Sequence, residues 1–489
     1  MAQVVAGVAG VAALAAIAAG LAAESPRLAL VGFGVVATVL LSILRPGAAV
    51  LAVAAIIYSN AAVVAVNFHG APGIAAVAVP LLLVIPALSQ VVRHSVVLTT
   101  TMPWLLALLL VQMVSALLSR NISDSMESII SFGLEGLLLF ILVVNSVRDH
   151  ELLRRIIWVL VLTGAALGAL SGFQQLTGTY YTRYLGFAQV GDGAVLTETA
   201  AGQAVTQPRL AGPIGEKNYY AQYLLMLVPL GGYLIVSERR RLLRAGAAIA
   251  TGLALVGISL TFSRGAAVGL AVVVLALGLL GYIRLRQLAI GAVAIGLLLV
   301  LAPDYVARVT RITDVVTTGG EVDEAVAGRL GENTAAMLAF FDHPVAGVGP
   351  GQFRLYYEGY ARELGADQHT GIRRAHSLYL NTAAELGVVG AIAMLGVLGS
   401  TIRALWRSRR HWLATHPDRA QLPIAFLLSL ISFLATAAFL DLAYARYFWF
   451  MLGLAAAAAH IASSSLARLD EPSPRLAGRA RPGQRWHIP

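Results

Sequence analysis

The chain has 489 residues, 58% of them hydrophobic and only 12% charged, with a mean hydropathy of +0.77; that leaves too little polar material to cover a soluble globule. Lys plus Arg number 35 against 25 Asp plus Glu, a formal charge of +10, yet the basic residues sit in short segments between apolar runs, which excludes a nucleic-acid-binding stripe and fits a membrane protein. There is no cysteine, so disulfides and thiolate chemistry are excluded.

About 20 apolar residues span a bilayer as a helix. In chain order such runs fall at 4–23, 28–44, 48–68, 73–90, 98–118, 128–147, 154–174, 218–237, 245–262, 265–282, 287–303, 377–402, 422–440 and 446–463. The opening run MAQVVAGVAGVAALAAIAAG lacks a basic n-region and reads as a retained first helix. Spans 28–44, 73–90 and 265–282 are short enough to merge or re-enter, so the expected fold is all-α, a polytopic integral membrane bundle of 12–14 transmembrane helices. It divides into N-terminal helices (1–174), a first outer loop (175–217), helices with a Ser-Arg-Gly connection (218–303), a large outer loop (304–376), C-terminal helices (377–463) and a basic tail (464–489).

Arg45, Arg93, the Arg148/Arg154/Arg155 group and the segments 237–244, 282–287 and 403–412 fall on every second connection, with the basic tail on the same side. The positive-inside rule puts all of these, and both termini, in the cytoplasm. The second outer loop carries ten acidic residues and seven arginines, the pattern of a folded element and not of a basic patch. Within it, Val326, Leu330, Met337, Leu338 and Phe341, and then Phe353, Tyr357, Tyr360 and Leu364, recur at roughly helical spacing. Two amphipathic helices are expected there, either lying at headgroup level through Phe353, Tyr356, Tyr357 and Tyr360 or packing those aromatics into the loop's own core. Gly347, Gly349 and Gly351 of GVGPGQF read as turn formers, since neither a strand nor a GK[ST] accompanies them.

Three cationic groups stand beside outer helix ends: Arg209 with Lys217 and Asn218, Arg264 in LTFSRGAAVGL, and Arg373, Arg374 and His376 in RRAHSLYL. Arginines at helix ends are commonly interfacial anchors. Arg264, alone in an otherwise uncharged hairpin on the charge-poor side, suits a polyanion better, because its planar fork pairs two phosphate oxygens. His376 can take a proton from a hydroxyl near neutral pH, though an isolated histidine is more often an ordinary packed residue. The intramembrane acids are Glu135 and Glu385, the latter read as a helix-packing contact. No metal-ligand spacing is legible. On these residues alone, substrate class stays open.

The segments RLAGPIGEKNYYAQYL, ISLTFSRGA, AGRLGENTAAMLAFFDHPVAGVGPGQF and HSLYLNTAAELGVVG occur in order, and the series resembles the O-antigen ligase and polymerase superfamily of the Wzy-C type over roughly residues 205–465. The resemblance implies a bacterial inner-membrane glycosyltransferase with a periplasmic helical loop region. Such an enzyme transfers a glycan from an undecaprenyl-pyrophosphate-linked donor to an acceptor hydroxyl, on lipid A–core in the ligases, with no metal or other cofactor. It assigns phosphate stabilisation to Arg209 and Arg264 and the base to His376; Lys217, Asn218, Arg329, Arg373, Arg374 and Tyr379 are the accompanying substrate-binding candidates. Where the family has an Asn-Pro-Asn-like segment, this chain has Glu216-Lys217-Asn218, which makes Lys217 a further candidate phosphate contact. Membrane lipids are the other expected partner, and nucleic acid is not. The sister activities, a Wzy-type polymerase or a protein O-oligosaccharyltransferase, share the donor. A flippase or transporter is the reading from another class, and the inverted repeats it requires are not apparent.

Overall fold

The computed structural model describes residues 40, 42–198, 204–282, 324–364, 373–442 and 445–470. The spans expected at 4–23 and 287–303, most of 28–44 and the end of the basic tail lie outside the described residues. Every other expected span coincides with a helix. In chain order these are α1 (Pro46–Tyr58), α2 (Ala61–His69), α3 (Ile74–His94), α4 (Met102–Leu117), α5 (Ile122–Ser146), α6 (His150–Thr177), α7 (Lys217–Ser237), α8 (Arg241–Leu260) and α9 (Arg264–Leu279). After α10 (Glu324–Asp342) and α11 (Phe353–Glu363), in the segment expected as a large outer loop, come α12 (Leu378–Thr415), α13 (Gln421–Thr436) and α14 (Ala445–Asp470).

Among the described residues, eight helices are long and apolar enough to cross a membrane, or nine when the pair α1/α2, bent by 55°, counts as one span. The chain is a polytopic helical membrane protein. Helices α7, α13 and α14 are the most buried and form the centre, around Tyr220, Tyr223, Phe426, Phe448 and Phe450. Between helices in lipid the attraction is close packing more than exclusion of water.

Local sequence sets the helix starts. Asn121, Asp149, Glu216, Ser263 and Ser377 each precede a helix and accept a hydrogen bond from a first-turn amide that no helical carbonyl can reach. The last three sit at one end of the bundle, beside Lys217, Arg264 and His376.

Two departures from the sequence expectation stand out. Residues 175–217, expected only as a loop, contain a hairpin of β1 (Gln189–Glu198) and β2 (Ala204–Gly212), antiparallel with irregular register between Gly191 and Ala194. The expected basic connection 403–412 is helical, because α12 runs on to Thr415.

Helix α12 is broken at Gly387, which has φ +63° and ψ −166°. Broken helices survive at membrane depth only where other groups satisfy the freed backbone. Here the Gly-rich turn after α10 does so. The amides of Val348 and Gly349 donate to the carbonyls of Ala384 and Glu385 (2.9 and 3.0 Å), and that of Val388 donates to Pro344 (2.8 Å). A Cβ on Gly387 would stand 2.2 Å from the Val345 carbonyl oxygen, and one on Gly347, itself at φ +69°, 2.2 Å from the Glu385 carbonyl carbon. Gly347 is thus a turn former that also lets two backbones touch.

The aromatics of α11 pack the loop's own core: Phe353, Tyr357 and Tyr360 are buried with Ala335, Ala336 and Ala339 of α10. On α10 itself the apolar residues Leu330, Met337 and Phe341 are exposed. Small alanines face inward because α10 must lie close against α12.

Candidate active site

The functional residues predicted from sequence gather at the end of the bundle carrying the hairpin and α10. Strand pairing sets Arg209 opposite Gly191. From there its Nε donates to the Thr261 carbonyl (2.9 Å) and its Nη2 to the Phe262 carbonyl (3.0 Å), with Asn218 Oδ1 at 3.5 Å. Phe262 adopts φ +51°, a left-handed conformation costing a non-glycine residue on the order of 1 kcal/mol. Arg209 therefore pins the strained turn that launches α9, and that turn presents Arg264 as the first, exposed residue of the helix.

Glu216, Lys217 and Asn218 form a linked set. The Glu216 carboxylate caps α7 by accepting from the Tyr219 amide (2.8 Å) and accepts from Asn218 Nδ2 (2.9 Å). Burial pushes its carboxyl above the usual range, offset by Lys217, Asn218 and Arg209. Lys217 Nζ donates to the Asp192 carbonyl in the hairpin, and both Arg209 and Arg329 lie within electrostatic reach of it. Three cations from three elements thus face one region.

Arg329 leads to the other half of the site, since Glu332 lies one turn further along α10. Glu332 is almost completely buried; its Oε1 accepts from Arg373 Nη1 at 2.9 Å, and its Oε2 stands 3.0 Å from His376 Nε2. The second contact is an ion-pair distance without hydrogen-bond alignment. His376 is partly exposed, and its Nε2 edge meets the carboxylate. The starts of α9 and α12 lie near a common support: the Leu378 amide donates to the Ala437 and Leu440 carbonyls (2.9 Å each), and a Cβ on Gly265 would stand 3.7 Å from the Phe439 ring.

Two predicted residues point elsewhere. The Tyr379 hydroxyl donates to the Leu434 carbonyl (2.8 Å), away from Glu332. Arg374 turns to the opposite side from Arg373, with Nη1 3.4 Å from Asp441 Oδ2. There it lines a polar cavity of about 340 Å³ with Arg354, Asn381 and Glu385. Glu385 meets the turn's Gly351 and Phe353 amides there, in keeping with a packing contact. Glu135, on a π-helical stretch of α5, pairs with Arg446 at the same cavity.

Glu332 and Glu216 were not singled out by sequence. Glu332 carries a signal that could have exposed it: it falls in register with Ala335, Ala336 and Ala339, a lone acid on a stripe of small buried residues. Among the described residues no cluster of His, Cys, Asp and Glu could hold a metal ion.

Fold and site together define a multi-pass helical membrane protein with a group of cationic side chains and a histidine at one end of its bundle. Residues 249–395, from α8 through the first half of α12, match the family model described as O-antigen ligase (Wzy_C). Members of that family are glycosyltransferase-like ligases and polymerases, whose substrates are in general lipid-linked sugars and glycans. No curated protein matches the chain.

Proposed function

We propose that the chain is an O-antigen ligase, an inverting, metal-independent glycosyltransferase of lipopolysaccharide biosynthesis. It moves O-antigen polysaccharide from undecaprenyl pyrophosphate to a sugar hydroxyl of lipid A–core, with the site facing the periplasm and both termini in the cytoplasm. The observation that carries the reading is the buried Glu332 carboxylate braced by Arg373 and set 3.0 Å from His376, beside the cations of the hairpin and of α7, α9 and α10.

With Nε2 turned to Glu332, Nδ1 is the ring nitrogen left for the acceptor. It takes the proton as the hydroxyl oxygen bonds to the donor's anomeric carbon, and the bond from that carbon to the pyrophosphate oxygen breaks with its electron pair. The leaving diphosphate gathers negative charge, which fixed cations neutralise most effectively when preorganised in a site with little water. Arg264 and Lys217 meet it directly. Arg209 adds its positive charge while holding the Thr261–Phe262 turn. Glu332 keeps the imidazole oriented and offsets the charge it acquires. The polar cavity around Arg374 and Asn381 offers hydroxyl-binding groups to the saccharide.

The test is complementation of a ligase-deficient strain, with lipopolysaccharide resolved on a gel. Modal-length smooth bands are expected. Restored chain extension in a polymerase-deficient strain without ligation would instead assign the polymerase role, and glycan on protein serines the protein-modifying one.

A further inference from the structure

At the opposite end of the bundle from the site, α4, α12 and α14 enclose a cavity of about 960 Å³. Arg403, Arg407 and His411 line it at successive turns of one face of α12, and His460 of α14 also lines it. No carboxylate is among its lining residues. The Thr99 hydroxyl is buried there without a hydrogen-bond partner. The rim is apolar: Leu98 is 76% exposed and Trp104 39%.

The positive-inside rule explains why arginines collect at this end, but not this arrangement. Several other basic side chains at this end are engaged. Arg154 pairs with Glu238 and Glu151, Arg155 with Glu151, and Arg239 with Asp418. Arg409 and Arg410 lie over the Trp406 ring. Arg403 and Arg407, by contrast, have no acidic partner among the described residues. A volume near 1,000 Å³ is at the upper end for a small-molecule pocket. Its cationic wall opening through an apolar rim suits a molecule with an anionic head and a hydrocarbon body.

We propose that this cavity is a binding site for one anionic phospholipid of the leaflet opposite the reaction site. The phosphodiester lies between Arg403 and Arg407, whose forked donors each reach two oxygens. Thr99 donates to a head-group oxygen, and the first acyl methylenes run out over Leu98 and Trp104. A free phosphate would leave that apolar exit unused, which is why the lipid is the favoured source of the anion.

The experiment uses the full-length protein, delipidated in detergent, with its melting temperature read on adding phosphatidylglycerol, phosphatidylcholine or inorganic phosphate. Saturating phosphatidylglycerol is expected to raise it by about 3 °C or more, and the other two not at all. In an R403Q/R407Q variant the shift should vanish. An R409Q/R410Q variant loses the same charge at the same end, outside the cavity, and should retain it. An equal shift with phosphatidylcholine or with phosphate alone would overturn the proposal. So would a shift that survives R403Q/R407Q, or one that both variants lose equally. Size-exclusion profiles like the native one establish that each variant is folded, and single-lipid adducts in native mass spectrometry provide a reading independent of stability.

Discussion

Glu332→Gln is the most informative single change, because it keeps the shape of the side chain and removes only charge and one acceptor. The native carboxylate serves Arg373 with one oxygen and faces His376 with the other. If the amide oxygen stays on Arg373, the NH2 group is presented to Nε2. Without the carboxylate's charge beside Nε2, the tautomer protonated there, whose Nδ1 can accept from a hydroxyl, is no longer favoured. The charge effect adds to this. A protonated ring 3.0 Å from a carboxylate gains at most about 5 kcal/mol at an effective dielectric constant of about 20. The 36% exposure of His376 lets solvent screen the pair well below that ceiling. We expect kcat to fall about 10²–10⁴-fold, with donor KM little changed. The assay is transfer from a lipid-linked glycan by purified protein, beside His376→Ala and the double variant. Because the two residues act as a unit, the double variant should be no slower than His376→Ala alone. A folded E332Q protein within about threefold of native activity would refute the orienting role.

Arg264→Lys keeps the charge but loses the fork, and transfer is expected to drop about tenfold or more; near-native ligation would rule out two-oxygen phosphate binding. Gly387→Ala forces a side chain into a glycine-only conformation against the Val345 carbonyl, and should cost about 3–5 kcal/mol, read as a collapse in melting temperature. Gly252→Ala, with nothing within 4 Å of the added methyl, should be neutral or slightly stabilising. Glu216 has a carboxyl raised by burial from its ordinary 4.5, so its contribution to stability is complete below that value and is lost as pH rises through the raised one. Glu216→Gln should therefore melt like the native chain near pH 4 and above it at pH 8, and the reverse order would contradict the burial argument. Transfer should continue after chelation with EDTA, since fixed cations are proposed to neutralise the diphosphate. A strict demand for an added divalent ion would overturn that assignment.

Apolar length made the membrane helices readable, because a bilayer sets one thickness for every span. Long-range contacts were less readable. The hairpin escaped notice because QVGDGAVLTE and AVTQPRLAG are only weakly alternating, and their pairing is what delivers Arg209 to the start of α9. Which face of α10 turns to its neighbours was not readable for a related reason. Large apolar residues signal burial in water, but a helix that must approach another closely turns its alanines inward and leaves Leu330 and Phe341 outside.

The same close approach explains why two separated motifs act as one. HPVAGVGPGQF and HSLYLNTAAELGVVG are joined backbone to backbone at the Gly387 break, and Ser115 of α4 donates to the Ala346 carbonyl (2.6 Å) in that junction. Side-chain contacts slide when a loop shifts by an ångström, whereas a ladder of amides and carbonyls in a low-dielectric setting does not. The ladder fixes the distance between the end of α10 and the start of α12, and therefore between Glu332 and His376. A base whose partner lies on a different helix needs such a brace, because a misplacement of about 1 Å can cost about a hundredfold in rate. On the proposed mechanism, the glycines at 347 and 387 serve the chemistry through the geometry they permit, though neither carries a functional group.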